Sequence, residues 1–183
     1  MFPSDKRFQD VEEELYKIAQ FIVLTLSDKG WSVATAESCT GGGIAAALTA
    51  VPGSSACVKG GIVAYMEEIK VKLLGVSPQT LSTEGVVSEH TVIEMAKGAM
   101  KTMGTDFAVA TSGVAGPSGG TADIPVGTIW VGAVSHTETY THCIRHFNKG
   151  RDRNTRNAIL ISLEMLQKVV EKEETNTTSR GGE

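Results

Sequence analysis

Apolar residues recur at every third or fourth position in three long stretches of the chain, which is the period of an amphipathic helix. The first stretch covers residues 8–29 and is followed by Gly30, a residue that commonly terminates helices. The second covers residues 88–103 and has Ser88 as its capping residue. The third begins at Asn154. The pattern therefore predicts long helices near the start, in the middle and near the end of the chain.

Short runs rich in valine, isoleucine and alanine lie between these helices and predict β-strands. The predicted strands are WSVATA (31–36), CVKGGIVAY (57–65), DFAVATSG (106–113), TIWVGAV (128–134) and TYTHCIRHF (139–147), the last two forming a hairpin around SHTE. Shorter helices are predicted at 43–50, at 67–75 and from Ser77-Pro78. Strands that alternate with helices predict an α/β fold whose mostly parallel sheet is covered on both faces, and the hairpin makes that sheet mixed.

Length and composition narrow the classes of protein and of partner. The 183 residues predict a single domain over 1–172, and the polar residues 173–183 predict a disordered tail. A net charge of −4 disfavours a nucleic-acid groove, and no apolar run reaches the length of a membrane span. An odd number of cysteines, three, fits a reducing cytoplasm. We therefore expect a cytoplasmic protein that binds neither nucleic acid nor membrane.

Serine and lysine are the side chains that suggest catalysis. Ser38 and Ser55 both lie in turns, but a serine hydroxyl attacks only when a base takes its proton. Histidine, the usual base, occurs four times without a metal-ligand pattern, and Lys59 and Lys70 are the alternative bases. A lysine base must be neutral, which requires burial or a neighbouring cation. Spacing alone leaves open whether Lys70 is such a base or a solvated helix lysine.

Two glycine-rich segments follow predicted strands and have the composition of anion-binding turns. Thr40-Gly41-Gly42 precedes a helix, and Ser112 begins a loop that contains Gly113 and Gly116. Backbone N–H groups in such turns bind phosphate, although neither segment ends as a Walker loop and ordinary tight turns have similar composition. The positively charged side chains of KGRDR (149–153) would also favour binding of an anion. The segments together predict a phosphorylated ligand at the carboxyl ends of the strands, where we expect loops 37–43, 52–56 and 112–125 to meet.

Six segments of the chain resemble one known family when they are taken together and in order. They are TAESCTGG (35–42), PGSS (52–55), GGIVAYMEEIK (60–70), GVVSEHTVIEMAKGA (85–99), TSGVAGPSGGTADIPVGTIW (111–130) and GRDRNTR (150–156). Over about residues 10–170 the chain resembles the C-terminal domain of the CinA (competence/damage-inducible) family. The enzymes of that family are nicotinamide-nucleotide amidohydrolases.

The resemblance implies a three-layer α/β/α sandwich and a Ser/Lys amidohydrolase. The implied reaction converts nicotinamide mononucleotide and water to nicotinate mononucleotide and ammonia, in pyridine nucleotide salvage, without a metal or other cofactor. Carried over by motif, the nucleophile is Ser55, the base is Lys70 and the accompanying tyrosine is Tyr65. Ser38 and Ser112 match further active-site hydroxyls, and Ser38 is the alternative nucleophile.

One departure from the family pattern leaves the activity open. The family commonly has asparagine two residues after the tyrosine, whereas this chain has Glu67, whose carboxylate would keep Lys70 protonated. A catalytically silent nucleotide-binding module that acts through partners is therefore an alternative, and a cysteine amidohydrolase that uses Cys39 is another. We also expect a small-molecule nucleotide substrate and a homo-oligomer, with a dimer as the first expectation.

Overall fold

The computed structural model describes residues 6–145 and 147–180 and has helices on both sides of one sheet. The elements in chain order are α1 (Lys6–Lys29), β1 (Val33–Glu37), α2 (Gly43–Thr49), β2 (Val58–Val63), α3 (Glu67–Leu74), α4 (Pro78–Thr83), α5 (Glu89–Met103), β3 (Phe107–Gly113), β4 (Ile129–Val134), β5 (Thr139–Ile144) and α6 (Arg151–Arg180). A short 3-10 turn, Ser54–Ala56, precedes β2. None of the helices in the described part of the chain combines the length and apolar character that a membrane span requires.

The five strands form one mixed sheet in the order β2-β1-β3-β4-β5. The pairs β2–β1 and β1–β3 are parallel, and the pairs β3–β4 and β4–β5 are antiparallel. The predicted α/β class, its mixed sheet and its terminal hairpin are therefore confirmed. Strand β5 ends at Ile144, before the predicted end, and residue 146 lies outside the described residues.

Each face of the sheet has its own hydrophobic core, which gives the three layers. On one face, α1, α2 and α6 cover the larger side chains of the strands, such as Val109 and Val131. On the other face, α3 and α5 pack against alanines of β1 and β3. Helix α3 approaches α5 closely at Gly98, where a side-chain carbon would collide with the carbonyl oxygen of Leu74. This close approach fixes the position of α3, which carries Lys70.

The end of the chain differs from the sequence-based prediction. Helix α6 continues to Arg180, so residues 173–180 are helical rather than a disordered tail, and 181–183 lie outside the described residues. The Glu173 carboxylate accepts hydrogen bonds from the hydroxyls of Ser135 (2.8 Å) and Thr137 (2.6 Å) in the β4–β5 turn. Polar contacts with the sheet therefore hold this part of the helix, and a pattern of apolar residues cannot reveal them.

Candidate active site

A cavity of about 550 Å³ opens at the carboxyl ends of the three parallel strands. This is where ligands bind in open α/β sheets, and the volume suits a small molecule. The lining residues come from the segments that follow β1, β2 and β3, from the loop before α5 and from the start of α6: Ser38, Cys39, Tyr65, Met66, Glu67, Glu68, Lys70, Val86, Val87, Ser112, Gly113, Val114, Ala115, Gly116, Ser118, Gly119 and Arg151.

Lys70 is buried in the wall of this cavity beside a serine hydroxyl. Its side chain on α3 is fully buried, and Nζ lies 3.1 Å from the Oγ of Ser38. Nζ also donates hydrogen bonds to the carbonyl oxygens of Ala64 (2.6 Å) and Tyr65 (3.4 Å). In the neutral amine these two carbonyls occupy the two N–H groups, so the lone pair faces the Ser38 hydroxyl. The interpretation of Lys70 as a solvated helix lysine is therefore wrong.

The surroundings of Lys70 favour its neutral form. Burial lowers the pKa of Lys70 from its ordinary value of 10.5, because an ammonium group loses hydration in the interior. Negative charge on Cys39 or Glu67 acts in the opposite direction and raises the pKa. Cys39 supplies little such charge at neutral pH, because burial raises the pKa of its thiol to about 12. The geometry therefore provides a lysine that can accept a proton from Ser38.

Ser38 owes its position to the end of strand β1. It follows Glu37 directly, and its backbone N–H donates to the carbonyl oxygen of Thr111 on the neighbouring strand β3 (3.1 Å). Lys70 reaches the same point from the helix that follows β2. Two parallel strands therefore deliver a hydroxyl and an amine from positions 32 residues apart to one site.

Ser55, the nucleophile implied by the family resemblance, does not lie near Lys70. It is exposed in the 3-10 turn before β2, whereas Lys70 follows that strand, and Ser55 does not line the cavity. The six residues of β2 separate the two ends by roughly 20 Å. The expected pairing of Ser55 with Lys70 is therefore corrected, and loop 52–56 lies at the opposite edge of the sheet from loops 37–43 and 112–125.

The first glycine-rich turn binds a carboxylate of the protein itself. The buried Glu37 side chain accepts hydrogen bonds from the backbone N–H groups of Gly42 (2.9 Å), Ile44 (3.1 Å) and Ala45 (2.8 Å). Thr35 adds its hydroxyl at 3.0 Å. The start of α2 is therefore already capped, and it is not the phosphate-binding turn that the sequence suggested. The sequence patterns did not indicate this structural role of Glu37, although a glutamate within a buried strand is itself an unusual signal.

The other residues of this turn are structural as well. The buried Thr40 hydroxyl lies 2.8 Å from the hydroxyl of Thr111, and the N–H of Gly41 donates to the carbonyl oxygen of Ser38 (3.1 Å). Gly41 and Gly42 adopt φ angles of 62° and 100°, which favour glycine. Thr40, Gly41 and Gly42 are absent from the cavity lining. The turn positions Ser38 and does not provide the cavity wall.

The second glycine-rich segment does line the cavity. Ser112, Gly113 and Gly116 all border it, as expected. The buried Ser112 hydroxyl donates to the carbonyl oxygen of Val86 (2.6 Å), so it fixes the loop before α5 against β3. Strand β4 passes close to Gly113, where a side-chain carbon would lie 2.6 Å from the Cα of Ile129. Ser112 and Gly113 therefore hold this wall of the cavity against the loop before α5 and against β4.

Arg151 brings a cation to the cavity, and the sequence indicated it only as part of a charged segment. Its guanidinium donates to the carbonyl oxygen of Gly116 (2.8 Å) and to the hydroxyl of Tyr65 (3.0 Å). Tyr65 is 57% exposed, so this contact orients a side chain that would otherwise be mobile. Both partners are uncharged, and the remaining guanidinium N–H groups can receive an anionic ligand.

Comparison with known proteins identifies close relatives. The family model described as CinA C-terminal domain matches residues 15–170. A CinA-like protein of Shewanella denitrificans is 44% identical over 87% of this chain, and the nicotinamide-nucleotide amidohydrolase PncC of Shewanella oneidensis is 42% identical over 86%. The matched regions are 38% and 37% of those two proteins, so the chain spans about two fifths of their length.

Solved structures of similar proteins have the same fold. A competence/damage-inducible protein from Agrobacterium tumefaciens superimposes with a TM-score of 0.83 at 38% identity, covering 92% of this chain and 98% of that one. A CinA superfamily protein from Escherichia coli gives a TM-score of 0.79 at 32% identity, with coverages of 83% and 88%. The sandwich described above is therefore that of these proteins.

Proposed function

Since this chain belongs to the CinA C-terminal domain family, we propose that it deamidates nicotinamide mononucleotide to nicotinate mononucleotide and ammonia. The observation that carries this proposal is the contact between the buried Lys70 amine and the Ser38 hydroxyl within an open cavity. The name of the Shewanella oneidensis relative, a nicotinamide-nucleotide amidohydrolase, supports nicotinamide mononucleotide as the amide that is hydrolysed. Because the chain spans about two fifths of that relative, the activity of the relative supports this proposal and does not establish it for this chain.

Ser38 is the nucleophile in this proposal, and Lys70 is the general base and acid. Nζ of neutral Lys70 accepts the Ser38 proton as Oγ bonds to the carboxamide carbon. The resulting ammonium group then protonates the leaving nitrogen, the C–N bond breaks and ammonia departs, which leaves an ester on Ser38. Water attacks that ester and gives a proton to Lys70, the bond between the acyl carbon and Oγ breaks, and Lys70 returns the proton to Oγ of Ser38. The acid product then loses its own proton to solvent and departs as the carboxylate. The proton exchange between Ser38 and Lys70 takes place across the 3.1 Å contact between Oγ and Nζ.

The cavity also has a place for the phosphate of the nucleotide. Arg151 lies on its wall, and its hydrogen-bond partners among the described residues are uncharged; a guanidinium binds phosphate through paired hydrogen bonds. Tyr65 links Arg151 to the segment between β2 and Lys70. A phosphate held at Arg151 would therefore orient the attached ring relative to Ser38.

The test compares two serines in an ammonia-release assay. Ser38→Ala should lower turnover of nicotinamide mononucleotide at least about a thousandfold, because neither member of such a pair works alone. Ser55→Ala is the matched control and should stay within about threefold of the wild type, since that hydroxyl is exposed at the other edge of the sheet. An inactive Ser55→Ala with an active Ser38→Ala would reverse the assignment and favour the nucleophile implied by the motif.

A catalytically silent nucleotide-binding module is the second candidate, and Glu67 is the observation that favours it. Its charge raises the pKa of Lys70 and so opposes the neutral form that catalysis requires. Binding of nicotinamide mononucleotide without ammonia release by the wild type would support this candidate. Pyridine nucleotide salvage, a homo-oligomeric state and a cytoplasmic location remain predictions.

A further inference from the structure

Two consecutive carboxylates stand at the cavity beside the Ser38–Lys70 pair. Glu67 and Glu68 form the first turn of α3, both are exposed, and both line the cavity. Within the described part of the chain, no ion pair joins either carboxylate to a cation. Carboxylates that border a ligand cavity without a partner act on the charge of whatever enters it.

Glu67 is the one whose field reaches the reacting atoms. It lies three residues before Lys70 on α3, so the two side chains share one face of the helix. Its negative charge acts on the Lys70 amine, which in turn lies 3.1 Å from the Oγ of Ser38. A ring placed for attack by Ser38 is therefore within the field of Glu67.

The other charges of the cavity do not cancel this field at the moment of reaction. Lys70 must be neutral to take the serine proton, so it contributes no positive charge then. Cys39 stays a neutral thiol, because burial raises its pKa to about 12. Arg151 donates to Gly116 and Tyr65, and in the proposed complex the phosphate of the nucleotide offsets its charge. Among the described residues that line the cavity, two carboxylates thus face one guanidinium.

We propose that Glu67 makes this site selective for a ring that carries positive charge and disfavours the carboxylate product. The inference rests on the proposed function and specifies how the substrate is chosen. The ring of nicotinamide mononucleotide is a pyridinium cation, and its dihydro form has a neutral ring of nearly the same shape. Deamidation converts the neutral carboxamide into an anion, so the same glutamate attracts the substrate ring and repels the group that the reaction creates.

The test measures binding, so it does not depend on turnover. In a Ser38→Ala, Lys70→Met background, which removes the charge of Lys70 in every protonation state, calorimetry at neutral pH gives the dissociation constants of nicotinamide mononucleotide, its dihydro form and nicotinate mononucleotide. A ring that docks with its charge about 4 Å from the Glu67 carboxylate would interact with it by about 1 kcal/mol in water, which is about fivefold in affinity. Glu67→Gln should therefore reduce the preference for the cationic over the neutral ring about fivefold. It should reduce the preference for substrate over product at least as much.

Three further variants make the result specific. Glu67→Asp keeps the charge and should keep the preference, whereas Glu13→Gln removes an exposed carboxylate from α1 and should change nothing. A preference that survives Glu67→Gln within about twofold overturns the inference, as does a loss that appears only in Glu68→Gln. Failure of all three nucleotides to bind overturns it as well. A wild type that binds with this preference but releases no ammonia overturns the amidohydrolase and leaves the selectivity standing.

Discussion

Replacing Glu37 tests how the turn that holds Ser38 is built. Its carboxylate accepts four hydrogen bonds in a fully buried setting, three from backbone N–H groups at the start of α2 and one from Thr35. These donors have no water to replace a lost partner, because the side chain is only 1% exposed. Glu37→Gln keeps the shape of the side chain and removes one acceptor oxygen and the charge.

The size of the effect follows from which bonds a glutamine can keep. Its best orientation directs the amide oxygen at the N–H groups of Gly42 and Ile44, and its NH₂ group at the Thr35 hydroxyl, which can rotate to accept. The N–H of Ala45 then loses its partner, at a cost of about 1–3 kcal/mol, and the remaining bonds weaken because they are no longer charge-assisted. We therefore expect a loss of about 3 kcal/mol in the free energy of unfolding, or roughly 6–12 °C in Tm for a protein of this size.

Urea and thermal unfolding followed by circular dichroism measure this loss. Glu37→Ala should cost more than Glu37→Gln, because it leaves all three backbone donors unpaired and adds a void. Glu13→Gln, on the exposed side of α1, should change the free energy of unfolding by less than about 0.5 kcal/mol. A Glu37→Gln protein within about 1 kcal/mol of the wild type would refute the reasoning, since the turn would then not depend on the carboxylate.

Two more predictions concern buried groups in the cavity. Burial lowers the pKa of Lys70 below 10.5, so the wild type loses stability as pH falls below 10.5, where its unfolded chain binds the lysine proton more readily than the folded chain. Lys70→Met removes this dependence, so its urea midpoint relative to that of the wild type should rise as pH falls from 10.5 toward neutral, over a constant cost for the unpaired carbonyl oxygens of Ala64 and Tyr65. Since the base must be neutral, wild-type turnover should rise with pH through the lowered pKa of Lys70, and Lys70→Met should be inactive at every pH. A difference in stability between the two proteins that does not change with pH would contradict the lowered pKa. The pKa of Cys39 is about 12, so Cys39→Ser should keep most activity and thiol-blocking reagents should have little effect. A loss of more than about a hundredfold, roughly 2.7 kcal/mol of barrier, in a folded Cys39→Ser protein would favour a thiol mechanism instead.

Local patterns in the sequence were sufficient for the elements of the fold. Capping residues decide where a helix begins without reference to distant parts of the chain, and the hydroxyls of Ser77 and Ser88 accept the expected backbone N–H bonds. Alternation of strands and helices predicted the layered sheet because a crossover helix must return over one of its faces. The ends of β5 and α6 differ from the prediction, and the end of α6 depends on contacts with the β4–β5 turn that are polar and far away in sequence.

The candidate site required the tertiary structure. The sequence by itself identified the residue types, a lysine base with serines and glycine-rich turns, because these types carry the chemistry wherever they fold. It did not determine which serine contacts Lys70. Ser55 is nearer along the chain, but it precedes strand β2 and Lys70 follows it, so the length of the strand separates the two residues. Ser38 follows the neighbouring parallel strand β1 and therefore lies at the same end of the sheet as Lys70. It also did not show that Glu37 fills the first turn, because a helix start attracts a carboxylate of the protein as readily as a phosphate. Which strand ends meet, and which charges are buried there, depends on contacts between distant residues, and those contacts exist only in the folded chain.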